Sequence, residues 1–489
     1  MANNMNKAKE LRTKHTTFNY QDYSWELIPG KKDNQFDLKI CFKYTINPNI
    51  EFSPSLVIHN VNKKTIDLIG KKDIDTYVFN IGLSEMYSYW KTTASPIIEV
   101  SAGKLTQEQI SFWHKLLLKG MGEFFFTNQI EFTDPNFVTI INSMTNLGNM
   151  GINSAEIYSD TNSQTPKRIL IPVGGGKDSS VTLELLKKNY QVGTYTVSAP
   201  RAAQDLIVAA QIPKSDQIKI TRTLDPQLFE LNKQGYLNGH VPISAFLAFV
   251  SIFAAKLFEY THIAISNERS SNEGNTWYCD QEINHQYSKT FEFETDLANY
   301  SKKYLPQKSP IYFSFLRPLY ELQIGQLFSK IPDYHNVFRS CNRGQKENIW
   351  CGDCSKCLFA WVIIFPSLGP EKMTDYFGKN LFEDENLWPI TQELLGISTT
   401  KPFECVGTHE ETIIAFYLSI ESYLNKDKTL PVLLEKVSLQ LAQNEQLKAG
   451  PSGENSYAKR AENILFAWNN DNSLPKNIEQ LLKNVLEEK

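Results

Sequence analysis

The strongest constraint in this chain of 489 residues lies between Arg168 and Lys188. The short apolar run Arg168 to Val173 enters three consecutive glycines, Gly174-Gly175-Gly176, and a helical pattern follows from Ser179 to Lys188. A glycine turn between a strand and a helix lets backbone N–H groups approach an anion closely, and the helix N-terminus adds a favourable dipole. The texture then repeats. Residues 191–198 read as a strand, 202–211 as a helix, 217–223 as a strand, 243–260 as a long helix and 262–266 as a strand. Strands alternating with helices pack as a parallel sheet covered on both faces.

Spacing separates three readings of the glycine turn. A Walker loop needs G-x-x-x-x-G-K-[ST], but Asp178 follows Gly176-Lys177 and Ile171 holds the place of the first glycine. A dinucleotide fingerprint needs a third glycine where Ser179 stands, and no acid lies where the second strand would grip a ribose, around Ala199-Pro200-Arg201. Gly174-Gly175-Gly176-Lys177-Asp178-Ser179 instead resembles the S-G-G-x-D-S loop of the PP-loop ATP pyrophosphatases, with glycine in place of the leading serine. That resemblance implies ATP bound by its pyrophosphate, attack at the α-phosphorus, and release of AMP and pyrophosphate. Lys177 would neutralise phosphate charge, Ser179 donate a hydrogen bond and Asp178 help to place Mg²⁺.

The flanking regions carry less chemistry. Phe36, Leu38, Ile40, Phe42, Tyr44 and Ile46 alternate with polar residues, the period of a strand with one buried face. A helix over 107–119 opens on the capping pair Thr106 and Gln109 and stops at Gly120. The stretch 159–167 reads as a linker, and helical stripes at Ile413, Tyr417, Ile420, Leu424 and at Ile478, Leu481, Leu482, Val485 mark the C-terminal part. These signals divide the chain into a strand-rich mixed domain (1–158), an α/β ATP-binding core with a cysteine knuckle (167–370) and a mostly helical region (371–489).

Composition narrows the partners. A formal net charge of −4 and the lack of a basic arm argue against a nucleic-acid substrate. The longest uncharged stretch, 240–255, is shorter than a bilayer span and reads as a buried helix. No secretory signal opens the chain, so a cytoplasmic enzyme is expected; no oligomeric state follows from the sequence. Of seven cysteines, Cys341, Cys351, Cys354 and Cys357 cluster. Two-residue gaps let sulfurs converge on tetrahedral Zn²⁺, so a structural zinc is expected, with buried free thiols as the alternative. The arrangement resembles the zinc knuckle of the 7-cyano-7-deazaguanine synthases, themselves PP-loop enzymes.

Three more segments complete a pattern: Ser266-Asn267-Glu268-Arg269-Ser270-Ser271-Asn272-Glu273-Gly274-Asn275, Arg339-Ser340-Cys341-Asn342-Arg343-Gly344, and Lys401-Pro402-Phe403-Glu404-Cys405-Val406-Gly407-Thr408-His409-Glu410-Glu411. With the glycine loop, Asn238-Gly239-His240-Val241-Pro242 and the knuckle, their joint order resembles the UDP-N-acetylmuramoyl-L-alanyl-L-glutamate epimerase family over about 167–411, and more weakly over about 76–130. The resemblance implies ATP-dependent conversion of the terminal L-glutamate of a UDP-muramoyl dipeptide to D-glutamate, a step of peptidoglycan precursor synthesis. Arg269 and Arg343 would hold phosphate or carboxylates. Glu268 and Glu273 would place metal or act as bases, and Cys405, His409 or Glu410 would supply a base. Each of these residue types also serves in ordinary salt bridges and caps, and an inert buried thiol is the simpler reading of Cys405 alone. A thioester at Cys405 would acidify the α-proton, though nothing in the sequence requires it. The alternative is another PP-loop enzyme that adenylates a carboxylate or nucleobase, such as a 7-cyano-7-deazaguanine synthase-like ligase.

Overall fold

The computed structural model describes residues 2–30, 34–142, 168–444, 447–450, 453 and 455–487. The linker expected over 159–167 lies outside the described residues. The strands are β1 (Thr17–Pro29), β2 (Gln35–Ile46), β3 (Ile50–Phe52), β4 (Ser55–Asn62), β5 (Ile97–Val100), β6 (Thr139–Asn142), β7 (Arg168–Pro172), β8 (Gln191–Val197), β9 (Gln217–Thr223), β10 (His262–Ile265), β11 (Thr276–Tyr278), β12 (Gln281–Ile283) and β13 (Ile311–Ser314). Eleven of them form one sheet in the order β13-β10-β7-β8-β9-β4-β2-β1-β5-β6, with β3 on β2, while β11 and β12 pair separately.

Strands β13, β10, β7, β8 and β9 are parallel. The first of these in the chain, β7, is central, and the order reverses beside it: β8 and β9 lie on one side, β10 and β13 on the other. Such a reversal leaves a crevice beyond the carboxyl ends of the strands, where α/β sheets bind ligands. The strand-rich N-terminal half continues the same sheet, because β9 pairs antiparallel with β4 and β4 leads to β2 and β1. Glu85, at the end of the helix Lys71–Glu85, reinforces this seam by accepting from Arg222 Nη2 of β9 at 2.8 and 2.9 Å.

Side-chain alternation sets the layers. In β2, Leu38, Ile40, Phe42, Tyr44 and Ile46 are buried and the residues between them half-buried, as one covered face requires. In β7, Ile169, Leu170 and Ile171 are all buried, because both faces are covered. Leu170 packs into one core with Phe249, Ile252 and Phe253 of the helix Ile243–Leu257. Ile169 and Ile171 pack into another with Val181, Leu206, Ile324 and Val362. The apolar helix Ile243–Leu257 is thus a core helix, and among the described residues no helix is long and apolar enough to cross a membrane. C-terminal helices close the second core through Ile413, Ile420, Ile478 and Leu482, while Leu424 is exposed at its helix end. The architecture is a mixed α/β fold around one large sheet with a helical C-terminal region.

Candidate active site

The glycine loop follows the central strand β7 and opens the helix Lys177–Lys187, so it sits at the reversal of strand order. Gly175 takes a φ of +96°, and a Cβ there would stand 2.8 Å from both Ala202 Cβ and Ala203 N. Glycine is therefore required by conformation and by contact. Gly174 faces open space: a Cβ would meet nothing within 4 Å. The loop is latched from the cysteine segment, since Arg339 N donates to Gly175 O at 2.8 Å and the Ser340 hydroxyl packs on Gly176. The hydroxyls of Ser179 and Ser180 both donate to Gly176 O, at 3.0 and 3.1 Å. Lys177 is buried, and its ammonium is shared between Asp178 and Glu321. Burial alone would lower its pKa, but those two carboxylates reverse the effect and raise it, so the lysine stays charged. Asp178 itself remains partly open to solvent, at 32% of its side chain.

A second group of residues comes from loops beyond β10 and from the 401–409 segment. The buried Arg317 guanidinium fixes two backbone points at once, donating to Glu268 O at 2.8 Å and to Lys289 O. Burial raises the Glu268 pKa, with Lys289 opposing and Asp178 and Cys405 adding to the rise. The Lys289 ammonium donates to Cys405 Sγ at 2.9 Å. His285 is coupled electrostatically to the same thiol and, through Nδ1, hydrogen-bonds the Glu123 carboxylate of the helix Gly122–Asn128. Asn275 positions both partners: its Nδ2 donates to Pro402 O at 2.7 Å, and its Oδ1 accepts from His285 N at 2.8 Å. On the other side, Glu404 accepts from Lys356 N at 2.9 Å, tying Cys405 to the cysteine knuckle.

The electrostatics of this group are distinctive. Burial would push the Cys405 thiol up, but Lys289, Lys356 and His285 outweigh it and hold the pKa well below the usual range. Burial likewise opposes charge on His285, yet Cys405 and Glu123 raise it to about 9. Cys405 thus lies among cationic groups that favour its ionised form, with Lys289 on the sulfur and His285 tied to the Glu123 carboxylate. His240 also approaches Glu123, at 3.4 Å, but burial and the neighbouring cations His285, Lys91 and Lys289 push it down to about 3. The ligand atoms of Glu123, His240 and His285 lie within 4.8 Å of one another, and Glu123 meets both rings.

The four clustered cysteines converge. Their sulfurs all lie within 4.8 Å of one another, with Cys341–Cys354 at 4.0 Å and Cys351–Cys357 at 3.7 Å. Those spacings match the edges of a tetrahedron of sulfurs about 2.3 Å from one ion. Gly344 N donates to Cys341 Sγ at 3.1 Å, the kind of contact that supports a thiolate ligand. The group can hold one metal ion.

The expected site residues therefore separate. Asp178, Glu268 and Cys405 share one charge network through Lys177 and Lys289. Arg269 lies over the Tyr320 ring at 4.3 Å. Glu273 accepts from Lys401 Nζ at 2.9 Å and from His409 N at 3.4 Å. His409 Nδ1 is held by Leu394 O at 3.0 Å, Glu410 is clamped by Arg460, and Arg343 pairs with Asp353 at 3.5 Å on the surface. The imidazole beside Cys405 is His285. With Glu123, Lys289 and Glu321, it belongs to the site although local sequence pattern gave no sign of it; only His240 lay in a segment already singled out.

Residues 10–315 match the family model described as the MurL N-terminal domain, and residues 337–449 that of the MurL C-terminal domain. The glycine loop, Glu268, His285 and Lys289 fall in the first match, the knuckle and Cys405 in the second. Two proteins named UDP-N-acetyl-alpha-D-muramoyl-L-alanyl-L-glutamate epimerase are similar over most of their length. The one from Salinispora tropica is 34% identical over 337 residues, 68% of this chain and 70% of its own. The one from Xanthomonas oryzae pv. oryzae is 30% identical over 366 residues, 73% of this chain and 78% of its own. A third of that name, from a Micromonospora species, is 38% identical over 259 residues, 52% of this chain and 57% of its own. No solved structure matches the chain significantly.

Proposed function

The chain belongs to the MurL family and is an isomerase, and from that premise we propose that it epimerises the terminal L-glutamate of UDP-N-acetylmuramoyl-L-alanyl-L-glutamate to D-glutamate in an ATP-dependent reaction that yields AMP and pyrophosphate. The observation that carries this reading is the juxtaposition, in a chain of this family, of an anion-ready glycine loop at the reversal of strand order with a charge network running from Asp178 to Cys405. On this reading the core 167–370 is a PP-loop domain, the segment 1–158 covers the substrate, and 371–489 completes the site through Cys405.

The α-proton of a free carboxylate is hard to remove, because the carbanion would sit beside an existing negative charge. Adenylation removes that charge and turns the carbonyl into an electron sink. Residues 174–179 hold the ATP phosphates: the open face at Gly174 admits them, and the N-terminus of the helix Lys177–Lys187 supplies N–H groups and dipole. Lys177 keeps Asp178 aimed at the site rather than meeting phosphate alone. Asp178 and Glu268 would hold Mg²⁺, which would supply positive charge against the phosphates. Arg269, stacked on Tyr320, stands in the loop after β10 where it would meet a carboxylate or phosphate of the substrate. Each positioned proton transfer contributes ~10²–10⁴-fold. The four cysteines would hold structural zinc and so fix the loop 339–344 that latches Gly175. The test is incubation with the dipeptide nucleotide, ATP and Mg²⁺, followed by chiral analysis of the released glutamate. D-glutamate and AMP in equal amounts are expected; L-glutamate alone would refute the proposal.

A further inference from the structure

We propose, resting on the epimerase reading above, that Cys405 is a covalent nucleophile: its sulfur takes the glutamyl group from the adenylate as a thioester, with Lys289 and His285 holding the thiolate and Glu123 orienting His285. The thiol accepts from the Lys289 ammonium at 2.9 Å and feels the charge of the His285 ring, whose Nδ1 is engaged by Glu123. A thiol kept for packing sits among apolar groups with its proton retained. This one is only half-buried and is surrounded by cations that favour the thiolate. A thiolate held by adjacent cations is one way in which cysteine is activated for acyl transfer. Lys289 also feels the charges of Glu268 and Asp178, so the sulfur belongs to the same charged site as the loop at which the adenylate forms.

The step balances without further reagents. The sulfur lone pair forms a bond to the carbonyl carbon, the bond from that carbon to the phosphate oxygen breaks, and its electron pair leaves on AMP. No proton moves, because the thiolate is already ionised. The α-proton of the thioester is acidic: it passes to solvent water as its bond pair moves onto the carbonyl oxygen as an enolate. The nearby Lys289 ammonium, released from the sulfur's charge, offsets that negative charge, and a solvent proton later forms the new carbon–hydrogen bond. After a proton returns on the opposite face, water adds its oxygen to the carbonyl carbon. The carbon–sulfur bond then breaks with its pair returning to sulfur, and the two water protons pass to solvent. His285 and Glu123 act here as positioning residues.

The deciding experiment uses the full chain with the dipeptide nucleotide, ATP and Mg²⁺ in deuterated water, and follows pyrophosphate, AMP and α-deuterium separately. In Cys405→Ala, pyrophosphate should still form to about one equivalent per site, while AMP release and deuterium uptake fall together by ~10³-fold or more. His285→Gln should slow the same two readouts and spare pyrophosphate. If Cys405→Ala releases AMP at the wild-type rate and loses only deuterium uptake, the sulfur is a proton carrier and the thioester is overturned. If all three readouts are unchanged, the thiol is inert and the proposal falls. Failure of the wild type itself to give AMP and deuterium would instead overturn the epimerase reading on which this rests.

Discussion

Gly174 and Gly175 are neighbours with opposite requirements, and the difference can be measured. An alanine at 175 would carry a side chain at φ +96°, where left-handed backbone costs about 1–2 kcal/mol. Its Cβ would also lie 2.8 Å from Ala202 Cβ and Ala203 N, in a helix end with no flexible side chain to give way. Overpacking of that kind adds about 1–3 kcal/mol. Gly175→Ala should therefore lose about 2–5 kcal/mol and melt well below the wild type. At 174 a Cβ meets nothing, so Gly174→Ala should melt within about 0.5 kcal/mol of the wild type. The open space at 174 is, however, where phosphate would lie. ATP at about 100 times its Kd should stabilise the wild type by ~2.7 kcal/mol, and Gly174→Ala should lose most of that gain. Thermal melts with and without ATP and Mg²⁺ check both halves. Equal melting of Gly175→Ala and wild type would refute the packing argument, and an undiminished ATP shift in Gly174→Ala would refute the phosphate assignment.

Cys354→Ser should release about one equivalent of zinc per chain, measured by elemental analysis; a purified wild type without zinc would refute the knuckle assignment. Glu85→Gln leaves Arg222 without its buried partner at the β9–β4 seam, and should cost about 3 kcal/mol in urea unfolding. An unchanged midpoint would show that the seam is held by backbone pairing alone. Burial pushes His262 of β10 from an ordinary value of 6.5 down to about 4. The unfolded chain therefore binds a proton in that window that the folded chain refuses, and stability falls as the pH drops through it, by ~3 kcal/mol. His262→Leu should flatten this acid slope; an identical slope would place the acid sensitivity elsewhere. Asp178→Ala should abolish AMP formation and, because buried Lys177 keeps only Glu321, melt below the wild type without unfolding the chain at assay temperature; retained turnover would contradict its place at the phosphates.

What could be read beforehand was whatever is written in consecutive residues. The alternation from Leu38 to Ile46, the glycine turn after an apolar run, the capping pair Thr106 and Gln109 and the spacing of Cys341, Cys351, Cys354 and Cys357 each appear in the structure as local pattern implied, whereas Phe36, before a register shift against β4, is only half-buried. The union of the N-terminal strands with the parallel sheet did not announce itself, because the β4–β9 pairing joins segments about 160 residues apart. The partners of Cys405 were hidden for the same reason: Lys289 is 116 residues away, and His285 meets Glu123 across 162. His409, four residues from Cys405, was the nearer suspect, but the helix His409–Leu424 begins there and directs the ring to Leu394 O. Lys177 reads as a phosphate ligand in isolation, and Glu321, 144 residues on, gives it a second duty.

On the proposed reaction, ATP serves to acidify one carbon–hydrogen bond. The most direct test of this role is the mass of the glutamyl product formed in deuterated water. One deuterium at the α-carbon, appearing only when ATP and Mg²⁺ are present and in step with AMP, is the predicted result. AMP formed without deuterium in the product, or deuterium incorporated in the absence of ATP, would contradict it.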